Sequence, residues 1–328
     1  MRYNKLFLTI LVILALATTA STFTVSPLVL ASGPSPFAGC TIGAAGTPGE
    51  TLYVNSEVEP WVAVNPTNTQ NIVAVYQQDR WSNGGAHGLV TSVSHDGGAT
   101  WSRTWPHFSF CAGGTAANGG DFDRASDPWV TFGPNGDAYQ ISLSVSADQL
   151  TSAILVSRSS DGGDTWSEPA TLIRETSAFN FNDKESITAD PTNANYVYAV
   201  WDRSRKPGES DSFSALNSFA FRSDTMFART TNGGISWEPA RAIRHPQALE
   251  FSIANQIAVL PDGTLVDLFA NFKGSGNNAP GVFVEVMRST DKGVTWSDPI
   301  IIDHLRTVGV VDPARESASM SDMSPVRV

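Results

Sequence analysis

The chain has 328 residues, a formal net charge of −11 and only two cysteines. So acidic a chain is poorly suited to the phosphate backbone of nucleic acids or to anionic membrane surfaces. Its 27 glycines and 19 prolines, with no long helical periodicity, point to turn-rich β structure.

At the N-terminus, Arg2 and Lys5 precede an apolar stretch from Leu6 to Ala17 and then a Thr/Ser-rich segment. This is the layout of a secretory signal peptide, and the apolar run is too short to span a bilayer. Cleavage after Ala20 or Ala31 fits, with Ala31 preferred. The expected organisation is a signal peptide over 1–31, a Gly/Pro-rich segment over 32–56 and a folded region over 57–328. Phe37-Ala38-Gly39-Cys40 faintly matches a lipoprotein cleavage box, but Ser32 to Pro36 separate it from the apolar core, and it reads as coincidence. In a secreted, extracellular chain with no membrane span after cleavage, Cys40 and Cys111 are expected to form a disulfide rather than a metal site or a nucleophile.

From residue 57 onward, short alternating apolar runs recur. Glu59-Pro60-Trp61-Val62-Ala63-Val64-Asn65-Pro66 matches Asp127-Pro128-Trp129-Val130-Thr131-Phe132-Gly133-Pro134, with looser copies from Glu185 to Pro191 and from Gln256 to Pro261. Each copy is followed by a turn and another apolar strand, such as Ile72 to Tyr76 or Tyr196 to Trp201. A third alternating run follows in each unit: Leu89 to Ser94, Ala153 to Ser159, Thr225 to Thr231 and Val282 to Ser289.

Each third run ends in one box, Ser/Thr-x-Asp-x-Gly-x-Thr-Trp. The four copies carry Asp96 and Trp101, Asp161 and Trp166, Asn232 and Trp237, and Asp291 and Trp296. Their third positions lie 65, 71 and 59 residues apart, the period of a repeat architecture. An Asx oxygen can accept from nearby backbone N–H groups while Gly supplies a positive φ, so the box reads as a hairpin turn closed by an anchoring Trp. Asn232 replaces the acid in the third copy, and an amide cannot act as a nucleophile or proton shuttle. The boxes are therefore structural. Two strands and then two more around the box make one four-stranded antiparallel propeller blade.

These repeats resemble the Asp-boxes, or BNR repeats, of the sialidase superfamily, from about Glu57 to Val328. The resemblance implies an all-β, six-bladed type of β-propeller and an exo-α-sialidase-like glycoside hydrolase acting on a carbohydrate or glycoconjugate. At about 65 residues per blade, the chain after Ala31 supplies four to five blades, so the C-terminal blades are expected to be missing from it. Known sialidases bind the sialic acid carboxylate with three arginines and use a tyrosine, a glutamate and an aspartate. Here the Phe/Tyr-Arg-Ile-Pro signature of the first arginine is absent, and Val58-Glu59-Pro60-Trp61 stands roughly in its place.

Groups at the start of each innermost strand converge on the central channel of a propeller. Here those groups are Glu59, Asp127 and Glu185, the candidate catalytic carboxyls, with Asn255 less well aligned. Arg80 in Asp79-Arg80-Trp81, Arg203 in Trp201-Asp202-Arg203, and Arg124 are candidate substrate-binding guanidiniums. Asp121-x-Asp123-x-x-x-Asp127 hints at calcium but lacks EF-hand spacing and reads as a loop, so no metal or cofactor is expected. The leading functional reading is an exported glycoside hydrolase of the exo-α-sialidase type, cleaving terminal sugars from glycans. The alternative is a non-catalytic extracellular propeller that binds glycans or proteins, with Trp61, Trp81, Trp105, Trp129 and Trp201 as possible sugar platforms. Lyase or hydrolase action on other polysaccharides is a third.

Overall fold

The computed structural model describes residues 27–205, 222–246, 250–275 and 278–305. Most of the expected signal peptide, and the chain after residue 305, lie outside the described residues. The fold is all-β, with one short 3-10 turn at Phe110–Ala112.

Among the described residues, sixteen strands form four antiparallel blades in chain order, the first two joined by a pairing of Ala86 with Ala125. The first holds β1 (Leu52–Val64), β2 (Ile72–Trp81), β3 (Ala86–Ser94) and β4 (Ser102–Thr104). The second holds β5 (Arg124–Phe132), β6 (Ala138–Val145), β7 (Ser152–Ser159) and β8 (Ala170–Glu175). The third holds β9 (Asn180–Ala189), β10 (Val197–Arg205), β11 (Arg222–Thr230) and β12 (Arg241–Arg244). The fourth holds β13 (Glu250–Val259), β14 (Leu265–Ser275), β15 (Asn278–Ser289) and β16 (Ile300–Leu305). The first strands of successive blades touch, β1 against β5, β5 against β9 and β9 against β13, as innermost strands around one axis do.

Alternation supplies the cores between blades. Val73, Val75 and Val93 of the first blade meet Val130, Phe132 and Ala138 of the second. Tyr139, Ile141 and Ile154 of the second meet Ile187, Ala199 and Trp201 of the third. Tyr198, Val200 and Phe227 of the third meet Ile257 and Leu265 of the fourth.

Each box is the turn between the third and fourth strands of its blade. Asp96 accepts from the Thr100 backbone N–H at 2.8 Å and from its hydroxyl at 2.6 Å, and Ser94 Oγ accepts from the Gly98 N–H at 2.8 Å. Asp291 repeats the pattern with Thr295 at 2.9 and 2.6 Å. Asn232 keeps the backbone bond to Ser236 at 3.0 Å, and its amide now donates to the Ser236 hydroxyl at 2.8 Å.

The boxes also join blades, which their sequence does not announce. In the second box, Gly162 and Gly163 carbonyls accept from Asn71 at 3.0 Å and Thr104 at 2.7 Å, both of the first blade. In the third, Gly233 O accepts from Tyr139 of the second blade at 3.0 Å. In the fourth, Lys292 O accepts from Arg229 of the third blade at 2.5 Å, while Lys292 Nζ reaches Asp190 at 2.7 Å. A Cβ on Gly293 would strike the Phe227 ring of the third blade.

The N-terminal segment lies along the first blade. Phe37 packs with Tyr76, Val90 and Ala112, burial that contributes about 1.5–3 kcal/mol for one such ring. The Cys40–Cys111 disulfide fixes the segment there, in the pairing expected from sequence. Ser92 Oγ donates to the Ala31 carbonyl at 2.6 Å, and Arg103 to that of Pro34 at 2.6 Å.

Candidate functional site

Every innermost strand breaks its ladder at a matching place, and β1 breaks a second time between Tyr53 and Glu57, where Asn55 is also left-handed (φ 61°). The pairing slips between Val58 and Trp61 in β1, Ser126 and Trp129 in β5, Asp183 and Ser186 in β9, and Ile253 and Gln256 in β13. The residue at each break has a left-handed backbone: Glu59 (φ 54°), Asp127 (φ 49°), Lys184 (φ 49°) and Ala254 (φ 65°). None is glycine, so each conformation costs about 1–2 kcal/mol that the surrounding sheet must offset. A bulge re-aims its side chain out of the pleat. One re-aimed residue per blade makes a ring, and three of the four have ionisable side chains.

The three ionisable members meet across three blades. Lys184 Nζ lies 2.6 Å from Asp127 Oδ1 and 3.3 Å from Glu59 Oε1. Gln77 Nε2 donates to Glu59 Oε2 at 2.6 Å, and Arg80 Nη1 donates to Gln77 Oε1 at 3.0 Å. Arg80 thus reaches the ring through Gln77.

Two neighbouring carboxyls here do opposite things. Burial, then the charge of Asp127 and a hydrogen bond to it, push Glu59 up to about 7 against the opposing pull of Lys184. Burial also opposes ionisation of Asp127, but the Lys184 charge and hydrogen bonds from Glu59, Lys184 and Ser126 outweigh it and hold that carboxyl below its ordinary value. Burial lowers the Lys184 ammonium, yet Asp127 and Glu59 more than compensate, so it stays charged. Asp183, next in the chain, is raised to about 7 by burial and by the charge of Asp127. The pair can store one proton and release it near neutrality.

Glu185 stands one residue past the bulge. The repeat alignment put it level with Glu59 and Asp127, but Lys184 holds that level, and Ala254 rather than Asn255 holds it in the fourth blade. Glu185 is 3% exposed, with neither carboxyl oxygen hydrogen-bonded. Burial, then the charge of Asp127, raise it well above its ordinary value. It is a carboxyl enclosed beside the ring in surroundings that disfavour its charge.

The arginines do not gather. Arg203 pairs with Glu175 at 2.6 Å, a bond between the third and second blades. Arg124 is fully enclosed: it donates to Gly43 O at 2.6 Å, Asn83 at 2.8 Å and Gly84 O at 2.7 Å, and forms an ion pair with Glu50. It holds the N-terminal segment, and its burial removes it from any ligand.

The three aspartates of the Asp121–Asp127 loop turn to separate partners: Arg174 at 2.8 Å, the Ala147 N–H at 2.8 Å, and Lys184. Cys40 and Cys111 lie beside His87, but their sulfurs are bonded to each other, leaving no thiolate for a metal. Trp201 is fully buried and Trp81 is 8% exposed, so both are core. Trp61 and Trp129 instead stack on each other, ring centroids 3.5 Å apart at 23°, two residues beyond Glu59 and Asp127.

Lys184 is the site residue that sequence reasoning missed. The sequence carries no shared mark of this position, because a proline follows Glu59 and Asp127 whereas Glu185 follows Lys184.

Comparison with known proteins supports the fold. The BNR/Asp-box repeat model matches residues 92–103. An α-L-arabinanase of Penicillium chrysogenum complexed with arabinobiose is similar at 13% identity, covering 74% of this chain and 69% of that one, with a TM-score of 0.50. A mutant of an α-L-arabinofuranosidase from Fusarium graminearum, in complex with an iminosugar inhibitor, is similar at 12% identity over 76% and 71%, with a TM-score of 0.52. A protein of unknown function from Dyadobacter fermentans is similar at 15% identity over 78% and 74%, with a TM-score of 0.50. A search of curated protein sequences finds no match. No helix among the described residues is long and apolar enough to cross a membrane.

Proposed function

We propose that this BNR/Asp-box propeller is a glycan-processing enzyme of the cell exterior, a glycoside hydrolase in which Glu59 supplies the proton. The observation that carries this reading is a carboxyl held at about 7, inside a ring built by three blades, with an ionised partner beside it. In hydrolysis the Glu59 proton passes to the glycosidic oxygen as the C–O bond breaks, water adds at the sugar carbon, and the proton released from that water restores Glu59. Asp127 keeps the negative charge next to the donor, and Glu185 contributes the enclosed, water-poor surroundings in which that charge acts strongly.

Support comes from the likeness to a propeller solved with arabinobiose and another solved with an iminosugar. The disulfide is compatible with export. The narrower form of the proposal is an exo-α-sialidase, in which Arg80 and Arg203 would take the substrate carboxylate. Its support is the resemblance of the repeated boxes to those of the sialidase superfamily, and it requires Arg80 and Arg203 to leave Gln77 and Glu175 for the substrate.

One observation favours a second reading. Glu59 and Asp127 hold one ammonium between them, Lys184 Nζ at 3.3 and 2.6 Å, so the oxygens that bind it lie at most at the near end of the roughly 5–9.5 Å at which paired carboxyls straddle a glycosidic bond. A propeller that binds glycans or proteins without cleaving them has no need of that separation.

The test is hydrolysis of fluorogenic glycosides, a sialoside and an arabinofuranoside, by the wild type and by Glu59→Gln. The proposal expects turnover of at least one and a loss of about 100-fold or more in the variant, the usual weight of a general acid. No turnover of any glycoside, or turnover unchanged in Glu59→Gln, contradicts it.

A further inference from the structure

The described tryptophans fall into distinct environments. Trp101, Trp166, Trp237 and Trp296 close the boxes, while Trp201 is fully buried and hydrogen-bonded to Asn182 at 3.0 Å. Trp81 is 8% exposed under the Arg124 guanidinium, and Trp105, 37% exposed, meets Phe37 edge-on beside the N-terminal segment and outside the innermost strands. Trp61 differs. It lies on an innermost strand, is 39% exposed, and is covered on one side by the Trp129 ring.

This arrangement is set by the same bulges that build the charged ring. Trp61 follows Glu59 by two residues and pairs with Val75; Trp129 follows Asp127 by two and pairs with Ile141. Trp129 packs on the core between the second and third blades, so the lower ring of the stack is fixed. Trp61, resting on it, is held in one orientation with its remaining surface open. Two strand residues span about 6–7 Å, close to the length of one sugar residue.

We infer that Trp61, backed by Trp129, is the aromatic platform of a sugar-binding subsite next to Glu59, and that it takes an uncharged sugar residue. An indole offers a wide apolar face to the C–H face of a sugar, while the polar ring beside it offers hydroxyl partners. The cations near the platform already have partners: Lys184 holds Asp127 and Glu59, and Arg80 holds Gln77. A carboxylate on the sugar would therefore compete with carboxylates already in place, whereas hydroxyl groups need not. A sugar lying on Trp61 brings the bond to its neighbour level with Glu59. That last step rests on the proposed hydrolysis; binding to the platform does not.

The test uses calorimetry on Glu59→Gln, which consumes its ligand slower by about 100-fold or more if the proposed reaction holds. The probes are arabinobiose, arabinotriose and lactose, with 3′-sialyllactose as the anionic member. The inference expects at least one uncharged probe to bind more tightly than 3′-sialyllactose. Adding Trp61→Ala should weaken that binding about tenfold or more, and Trp61→Phe only two- to threefold, because a smaller ring keeps part of the stacking surface. Trp61 is partly exposed, so thermal unfolding of the variants should stay close to that of the parent and separate lost binding from lost fold. Binding indifferent to Trp61→Ala, preference for 3′-sialyllactose, or binding of none of the probes overturns the inference. If the wild type hydrolyses nothing while Trp61-dependent binding is seen, the platform stands and the enzymatic reading falls.

Discussion

Lys184 Nζ, on the innermost strand of the third blade, lies 2.6 Å from Asp127 Oδ1 on that of the second. The contact decides which carboxyl of the site carries charge. Lys184 reaches Asp127 more closely than Glu59, and Asp127 is held below its ordinary value while Glu59 is raised to about 7. Replacing the ammonium in Lys184→Met withdraws a positive charge that lowers both acids. Both should rise, with Glu59 moving above its value near 7 by about one unit, equivalent to about 1.4 kcal/mol. The pH dependence of turnover, or of the Glu59 carboxyl resonance, reads this shift. Lys184→Arg should largely prevent it.

The box glycines should differ in cost according to what lies against them. A methyl added to Gly98 of the first box would have nothing nearer than 3.6 Å, whereas one added to Gly293 would strike the Phe227 ring. Both have positive φ, so Ala costs each about 1–2 kcal/mol. Gly293→Ala adds overpacking against the third blade, about 1–3 kcal/mol more. Urea unfolding of the two variants should show that gap.

Asn232 tests whether the boxes are structural. Asn232→Asp should be within about 0.5 kcal/mol of the wild type, because the Ser236 hydroxyl can reverse and donate to the acid as Thr100 does to Asp96. Asn232→Ala leaves turn donors without an acceptor and should cost about 1–2 kcal/mol. Neither should change activity, which a paired stability and turnover assay checks.

The disulfide closes a sequence separation of 71 residues. Replacing both cysteines by Ser should lower stability by about 2–4 kcal/mol, since so long a loop regains much conformational freedom on unfolding. Thermal unfolding with and without reductant measures it, and the N-terminal segment over Phe37 should become the first site of proteolysis.

Stability should also fall on the alkaline side of mild acidity. Burial, the leading cause for each, raises Glu59 and Asp183 to about 7, and Glu185, Asp202 and Asp267 well above their ordinary values. Acids raised in the folded state contribute stability that is complete below their unfolded values near 4 and is lost as pH rises through the folded ones. Asp96, lowered to about 2 by hydrogen bonds from Thr100, works the other way and loses its contribution on acidification toward that value. Maximum stability is therefore expected between about pH 4 and 6. Asp267→Asn, which removes a buried carboxyl that burial raises well above its ordinary value, should lessen the fall as pH rises from about 4 to 8. Unfolding midpoints across that range check it.

The repeated boxes made the blades readable from sequence, because Asp96, Asp161, Asn232 and Asp291 mark the same turn four times. The ring was only half readable. Glu59 and Asp127 stand at left-handed positions that favour glycine, so nothing in their identity reveals the bulge, and a one-residue offset put Glu185 where Lys184 belongs. The fate of Arg124 was hidden for another reason. Its partners Gly43 and Glu50 lie 81 and 74 residues away in a segment that only the disulfide and Phe37 bring back to the blade.

The most direct measurement is the titration of Glu59 itself, read as the carboxyl carbon resonance that disappears from the spectrum of the intact protein in Glu59→Gln. A midpoint near 7 is the result expected of a proton donor held between Asp127 and Lys184. A midpoint near 4.5, the ordinary value for a glutamate, would contradict the cross-blade ring as an acid–base site.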